Sequence, residues 1–394
     1  MSKTHHWDVF CRVVDNYGDI GICWRLSQQL AHEHGLHVRL FIDDMVAARH
    51  LISTLDLNQT SQMVNGVDIC PWPKVSITPA QVVVAAFGCE LPETYSHQLA
   101  AHESVWINLE YLSAETWVSD FHAQISPQPA LGVNKHFFFP GFFPDTGGLL
   151  REHHLLATRD AFLGSADKQT TFWQRLGLGH LNLDNAIKIS LFCYPQANIR
   201  DLCTALASME QTIHVVMPFN GDISQWSAAF ADFTQTKIGA NRWLLQQGNL
   251  NVHLLPFLSQ ADYDHLLWAC DFNFVRGEDS WIRAIWAGKP FIWQPYWQTD
   301  AVHIKKMQAF LAVYAEHASV DMQHLLNRAS LAWSAGDPDL YSMTNPDQTL
   351  WPSFINQLPT LLTYAQHRAH TLAQQSDVAT KLVIFSENLR NSQV

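Results

Sequence analysis

This chain has none of the common nucleotide-binding or hydrolase signatures. It has no G-x-G-x-x-G run, so the usual dinucleotide fingerprint is missing, and no G-x-x-x-x-G-K-[ST] run to support P-loop chemistry. A G-x-S-x-G nucleophile elbow is also absent. The seven cysteines are odd in number, scattered at 11, 23, 70, 89, 193, 203 and 270, and never spaced C-x-x-C. Most sit in apolar segments, which predicts buried reduced thiols and a cytoplasmic protein. The 21 histidines make chance pairs inevitable. His5-His6, His32/His34 and His153-His154 lack the spacing and the carboxylate that a zinc site needs. No 18-residue apolar run is present to cross a membrane. The N-terminal M-S-K-T-H-H-W-D lacks the apolar core of a signal peptide.

Charge is scarce as well, at 15% of residues, and it is one-sided, with a net charge of -12. That balance argues against non-specific nucleic-acid binding. Residues 1–150 hold 7 Lys/Arg against 15 Asp/Glu, so this stretch carries -8 of the total. Two readings stay open: an ordinary acidic surface, or a half of the protein that meets a basic partner.

What the chain does have is apolar bulk. Apolar residues make up 47% of its 394 residues, with 15 Trp and 22 Phe. That length predicts two domains. Val9–Val14, Val38–Ile42, Val67–Cys70, Gln81–Phe87 and Val105–Leu109 read as short buried strands, with helices at Ile20–Glu33 and Met45–Leu55. A second series follows at Ile187–Tyr194, Ile213–Met217, Val252–Leu255, Asp271–Val275 and Phe291–Trp293. Its helices are expected at Ile199–Ser208, Ser224–Phe233, Gln260–Ala269 and Asp279–Ala287. Strands alternating with helices predict parallel α/β sheets. The expected domains are 1–150 and 185–365, joined by a linker at 151–184. Residues 366–394 are expected to pack back toward the first domain, within a helix-compatible run from Pro352 to Leu389. Two such halves fit an enzyme whose ligands bind beyond the carboxyl ends of the strands.

Three places carry candidate chemistry. The first is D-N-Y-G-D-I-G, Asp15 to Gly21, where the first strand hands over to its helix. Asp15 and Asp19 stand four residues apart around Tyr17 and Gly18. Asp19 suits a helix N-cap, but two acids and two glycines within seven residues also suit a ligand site. The second is the turn Arg276-Gly277-Glu278-Asp279-Ser280, between an apolar strand and a helix. A helix N-terminus beside an arginine is a place to hold a diphosphate. Carboxylates would repel that ligand, so Glu278 is assigned to a sugar hydroxyl or a backbone donor. Arg276 and the N–H groups of Asp279 and Ser280 are assigned to the phosphates. The helix face of Trp281, Ile285 and Trp286 reads as core. The third place is the pair of strand ends Phe192-Cys193-Tyr194 and Phe257-Leu258-Ser259-Gln260, each offering an aromatic and a polar group to a base.

Together, D-N-Y-G-D-I-G-x-x-W-R-L and R-G-E-D-S-x-x-R-A-x-W-A-G-K-P-F-I-W-Q-x-Y-x-Q resemble the bacterial EarP family over essentially the whole chain. That family modifies an arginine of translation elongation factor P with rhamnose. The resemblance implies a GT-B fold, two Rossmann-like domains facing a cleft, and inverting transfer from TDP-β-L-rhamnose. No metal or other cofactor is expected if Arg276 and the helix dipole stabilise the leaving TDP. It implies Asp19 as the catalytic carboxylate and Asp15 as its supporting acid. It also implies that Arg276, Gly277, Glu278, Asp279 and Ser280 form the donor-binding turn. Phe192, Tyr194, Phe257, Gln260 and Tyr296 match nucleotide-contacting positions. Its implied partners are elongation factor P and the nucleotide sugar, while the net charge and the lack of a spanning apolar run lead to the expectation of no nucleic acid and no membrane. Two alternatives stay open: a GT-B transferase for another sugar or acceptor, and a non-catalytic sensor of sugar nucleotides.

Overall fold

A computed structural model of the 394-residue chain describes residues 5–14, 17–181, 185–219, 223–334 and 349–392. The chain divides into two compact units. The first comprises 1–153 and 373–394, and the second comprises 154–372.

The first unit is built on eight strands. They are β1 (His6–Cys11), β2 (His37–Ile42), β3 (Gln62–Val64), β4 (Val67–Pro71), β5 (Val82–Ala86), β6 (Val105–Leu109), β7 (Ile125–Gln128) and β8 (Val133–Phe138). Their order is β3-β4-β2-β1-β5-β6-β8-β7. The six central strands are parallel, and β3 and β7 close the edges antiparallel. Central strands covered on both faces read as unbroken apolar runs. V-V-V-A-A in β5 and V-W-I-N-L in β6 are buried along their whole length. Counting only the parallel strands, the order is 3-2-1-4-5-6, so the sheet changes winding direction between β1 and β5. Ligands of such sheets bind at that break, beyond the carboxyl ends.

The helices of this unit are α1 (Gly18–His34), α2 (Met45–Leu51), α3 (Glu93–Ser96) and α4 (Trp117–Phe121). Val378–Asn391 forms a further helix, which packs against α1 and is capped by Asp377. In β1, the buried Asp8 carboxylate takes two bonds of 2.6 Å from Arg39 of β2 and a third from the Tyr95 hydroxyl. Those partners satisfy a charge that would otherwise be costly inside the protein.

The second unit begins with α5 (Leu155–Leu163) and α6 (Ala166–Arg175). Residues 151–184 were expected as a linker, yet these helices bury Phe162 and Phe172 against one another. The segment's polar composition had concealed its two short apolar faces. The sheet contains β9 (Ile187–Leu191), β10 (Ile213–Phe219), β11 (Thr234–Gly239), β12 (Arg242–Gln247), β13 (Leu250–Pro256), β14 (Phe272–Arg276) and β15 (Phe291–Gln294). Its order is β11-β12-β13-β10-β9-β14-β15. The five parallel strands again run 3-2-1-4-5, with the winding break between β9 and β14.

Helices α7 (Ile199–Ala207), α8 (Gln260–Ala269) and α9 (Asp279–Ala287) flank the strands, and Gly288 ends α9 at φ 62. Ser224–Phe233 does not form the expected α-helix. It makes a 3-10 turn at Ile223–Trp226 and further i→i+3 turns that bury Trp226 and Phe230. The run from Pro352 to Leu389 is three helices, Leu350–Asn356, Leu358–Leu372 and Val378–Asn391. No helix among the described residues is long and apolar enough to cross a membrane.

Candidate active site

In the second unit, β9 and β14 lie side by side, and the Phe192 N–H donates to the Phe274 carbonyl at 3.0 Å. That pairing carries Phe192 and Tyr194 to the carboxyl edge beside Arg276, the last residue of β14. The Arg276 guanidinium lies 4.3 Å from the Phe192 ring centre and 4.5 Å from that of Tyr194. Two aromatic faces thus hold one cation at the winding break. The Tyr194 N–H donates to the Gln294 side chain at 2.8 Å, which fixes the ring's approach.

The following turn is pinned by backbone and side-chain bonds. Gly277 sits at φ 62, a conformation a side chain would strain. Its N–H donates to the Gln294 carbonyl at 3.2 Å, and its own carbonyl accepts from the Trp293 indole at 2.7 Å. Ser280 folds back: its hydroxyl accepts from the Arg276 N–H at 3.1 Å and donates to the Arg276 carbonyl. Its side chain therefore secures the strand end rather than capping α9. Glu278 occupies the N-cap position without a side-chain capping bond. Asp279 opens the helix, and its carboxylate accepts from the Gln260 amide at 3.1 Å. The first turn of any α-helix leaves N–H groups that the helix itself cannot pair, so this one presents donors and the positive end of the dipole beside Arg276.

The remaining candidates surround that cation. Phe257 packs edge-on to Phe192 at 6.1 Å, and Tyr296, half exposed, packs edge-on to Tyr194 at 5.7 Å. Tyr263 also meets Phe192, at 5.5 Å, and burial pushes its hydroxyl pKa up. Behind the turn, Trp281 stacks on Trp293 at 3.7 Å, and Trp281, Ile285 and Trp286 are core. Arg283 makes a bidentate pair with Asp264, at 2.9 and 2.7 Å, and both are buried. This pair clasps α8 to α9 and so braces Gln260 and Asp279 together. Sequence reading passed over Asp264, whose only signal was an acid on the inner side of an apolar helix.

In the first unit, Asp19 is 2% exposed and lies in the first turn of α1. The helix starts at Gly18, with Tyr17 at the N-cap position and no side-chain capping bond. Asp19 is therefore not the cap that its place in the sequence had suggested, because the chain turns helical one residue before it. Its Oδ2 accepts from the Val14 N–H at 2.7 Å, and its Oδ1 accepts from the Tyr111 hydroxyl at 3.1 Å. The helix dipole favours a carboxylate there. Tyr17 packs edge-on to His50 at 5.9 Å. Asp15 lies outside the described residues. One turn further along α1, burial raises the Cys23 thiol well above its usual range, and Cys11 and Asp19 add to the effect. All seven cysteines are buried and unpaired.

Sequence reading also missed Tyr111, which stacks on Phe87 with ring centres 4.3 Å apart. A signal existed in L-E-Y at the end of β6, the fifth parallel strand, but the partner depends on strand order. Among the described residues, no group of three or more His, Cys, Asp or Glu could hold a metal ion.

A family model for the elongation-factor P rhamnosyltransferase EarP matches residues 7–387. The protein-arginine rhamnosyltransferase of Pseudomonas putida is 43% identical over 97% of this chain and 98% of its own length. Its counterpart in Shewanella oneidensis is 36% identical, with 98% of each chain covered. A solved structure described as the structural basis for EarP-mediated arginine glycosylation of elongation factor EF-P superposes with a TM-score of 0.66. It is 32% identical and covers 98% of this chain and 99% of that one. Two parallel-sheet α/β units, in the company of these relatives, are the GT-B fold.

Proposed function

The chain belongs to the EarP family, and from that premise we propose that it transfers L-rhamnose from TDP-β-L-rhamnose to an arginine of elongation factor P, inverting the sugar carbon. The observation that carries this reading is the Arg276 guanidinium held over Phe192 and Tyr194 at the start of α9. It is a fixed cation with helix N–H groups beside it and aromatic faces around it, which suits a nucleoside diphosphate. The rings and Gln260 flank the base, Arg276 and the start of α9 take the phosphates, and Glu278 bonds a sugar hydroxyl.

The reacting nitrogen requires a different environment, and Asp19 offers it. A carboxylate is a far weaker base than a neutral guanidine, so a guanidinium gives up its proton to it only at a large cost in free energy. Full deprotonation before attack is therefore too costly. Asp19 orients the guanidinium and polarises one N–H, with Asp15 assisting. The nitrogen attacks the sugar carbon as the bond from that carbon to the diphosphate oxygen breaks, and its electron pair leaves with TDP. The nitrogen acidifies as it bonds, and its proton passes late to Asp19. Negative charge grows on TDP at the same moment, where Arg276 and the helix dipole meet it. These groups supply the charge stabilisation without a metal ion. The buried unpaired thiols suit work in the reducing cytoplasm.

The test is to incubate the chain with TDP-rhamnose and elongation factor P and weigh the factor. One added deoxyhexose, lost when the acceptor arginine is replaced by lysine, supports the reading. An unchanged mass in the presence of active donor contradicts it.

A further inference from the structure

One feature at the first unit's carboxyl edge is strained, and the mechanism above does not use it. Phe87 follows β5 directly and sits at φ 58, although it carries a bulky side chain. Its N–H continues the parallel ladder, donating to the Leu109 carbonyl at 2.6 Å. A non-glycine residue held left-handed costs free energy that its surroundings must offset. At this site the twist lays the ring flat on Tyr111, with 4.3 Å between centres and 13° between planes. Tyr111 comes two residues after β6, the strand next to β5. It is still 37% exposed, and its hydroxyl donates to Asp19 Oδ1 at 3.1 Å. Strain, stack and hydrogen bond form one line from the sheet edge to the carboxylate.

We propose that Tyr111 is a positioning residue for Asp19, and that the Phe87–Tyr111 stack is the flat wall against which the planar cationic acceptor side chain is aligned. The inference rests on the proposed transfer and adds two divisible roles to it. The hydroxyl holds one carboxylate oxygen so that Asp19 meets the guanidinium in a fixed orientation. The stacked rings present a π face, which favours a flat delocalised cation over a compact ammonium. Phe87 acts only through Tyr111, since its conformation fixes the angle of the tyrosine ring.

The two roles separate in steady-state kinetics on the full-length chain, with elongation factor P as the varied substrate. Tyr111→Phe keeps the ring and removes the hydroxyl. It is expected to lower kcat about 10-fold and leave the acceptor KM within about twofold. Phe87→Leu keeps the bulk and removes the stack. It is expected to raise the acceptor KM about 5-fold with a smaller change in kcat, and Phe87→Tyr restores the wild-type value. TDP affinity, measured by calorimetry, should be unchanged in all three variants, which also shows that they are folded. A Tyr111→Phe enzyme with wild-type kcat overturns the inference while the proposed transfer stands. So does a variant whose loss appears as weaker TDP binding. A wild-type chain that transfers no sugar overturns the proposed activity, and this inference with it.

Discussion

The two sheets share a strand order at their centres but present opposite charges at the same topological place. In the first unit, the seam between β1 and β5 gives onto Asp19, a buried carboxylate at the start of α1. In the second, the seam between β9 and β14 gives onto Arg276, a guanidinium at the start of α9. Both helices point the positive ends of their dipoles at the seam. The first unit uses that end to steady an acid, and the second adds a cation to it. The doubly wound topology chooses where a site can be, and one side chain chooses which charge it accepts.

Both units also hold a bidentate Arg–Asp pair around a buried carboxylate, and the pairs differ in what they brace. Asp8–Arg39 ties β1 to β2 within the sheet, whereas Asp264–Arg283 ties the helix carrying Gln260 to the helix carrying Asp279. Damage to the first pair should act on the fold, and damage to the second on the proposed TDP site as well.

Substitutions can break this contrast, and the largest effect is expected from Asp19→Asn. It keeps the shape and removes the charge, so turnover should fall by about 10³-fold or more in a mass-based transfer assay. Arg283→Ala leaves Asp264 buried without its partner. It should lower unfolding free energy by about 3–5 kcal/mol in a urea titration and weaken TDP binding as well. Arg276→Ala should weaken TDP binding about 10- to 100-fold by calorimetry, and Arg276→Lys should recover only part, because an ammonium cannot stack as a guanidinium does. Ser280→Ala removes the hydroxyl that bridges both backbone atoms of Arg276 and should cost about 1–2 kcal/mol of stability. The smallest effect tests the acidity of residues 1–150. If it recruits a basic acceptor, the acceptor KM should rise a few-fold between low and physiological salt, and a flat dependence contradicts that role.

Central parallel strands were legible because burial on both faces leaves apolar runs such as V-V-V-A-A. The antiparallel edge strands were not. Gln62–Val64 is three residues long, and Thr234–Gly239 is polar and exposed along most of its length, so each owes its conformation to its partner. The turn from Arg276 to Ser280 could be read because its parts are contiguous. That Ser280 folds back on Arg276 could not be read, since a serine at a helix start more often caps it. Phe87 and Tyr111 lie 24 positions apart and meet only because β5 and β6 are neighbours.

The central claim is that the acid and the cation do separable work, and calorimetric titration of TDP into Asp19→Asn and Arg276→Ala tests it most directly. The account predicts that Asp19→Asn binds TDP as tightly as the wild type while transferring no sugar, and that Arg276→Ala alone loses affinity. An Asp19→Asn chain that loses TDP binding together with turnover, or that still transfers sugar at the wild-type rate, would contradict it.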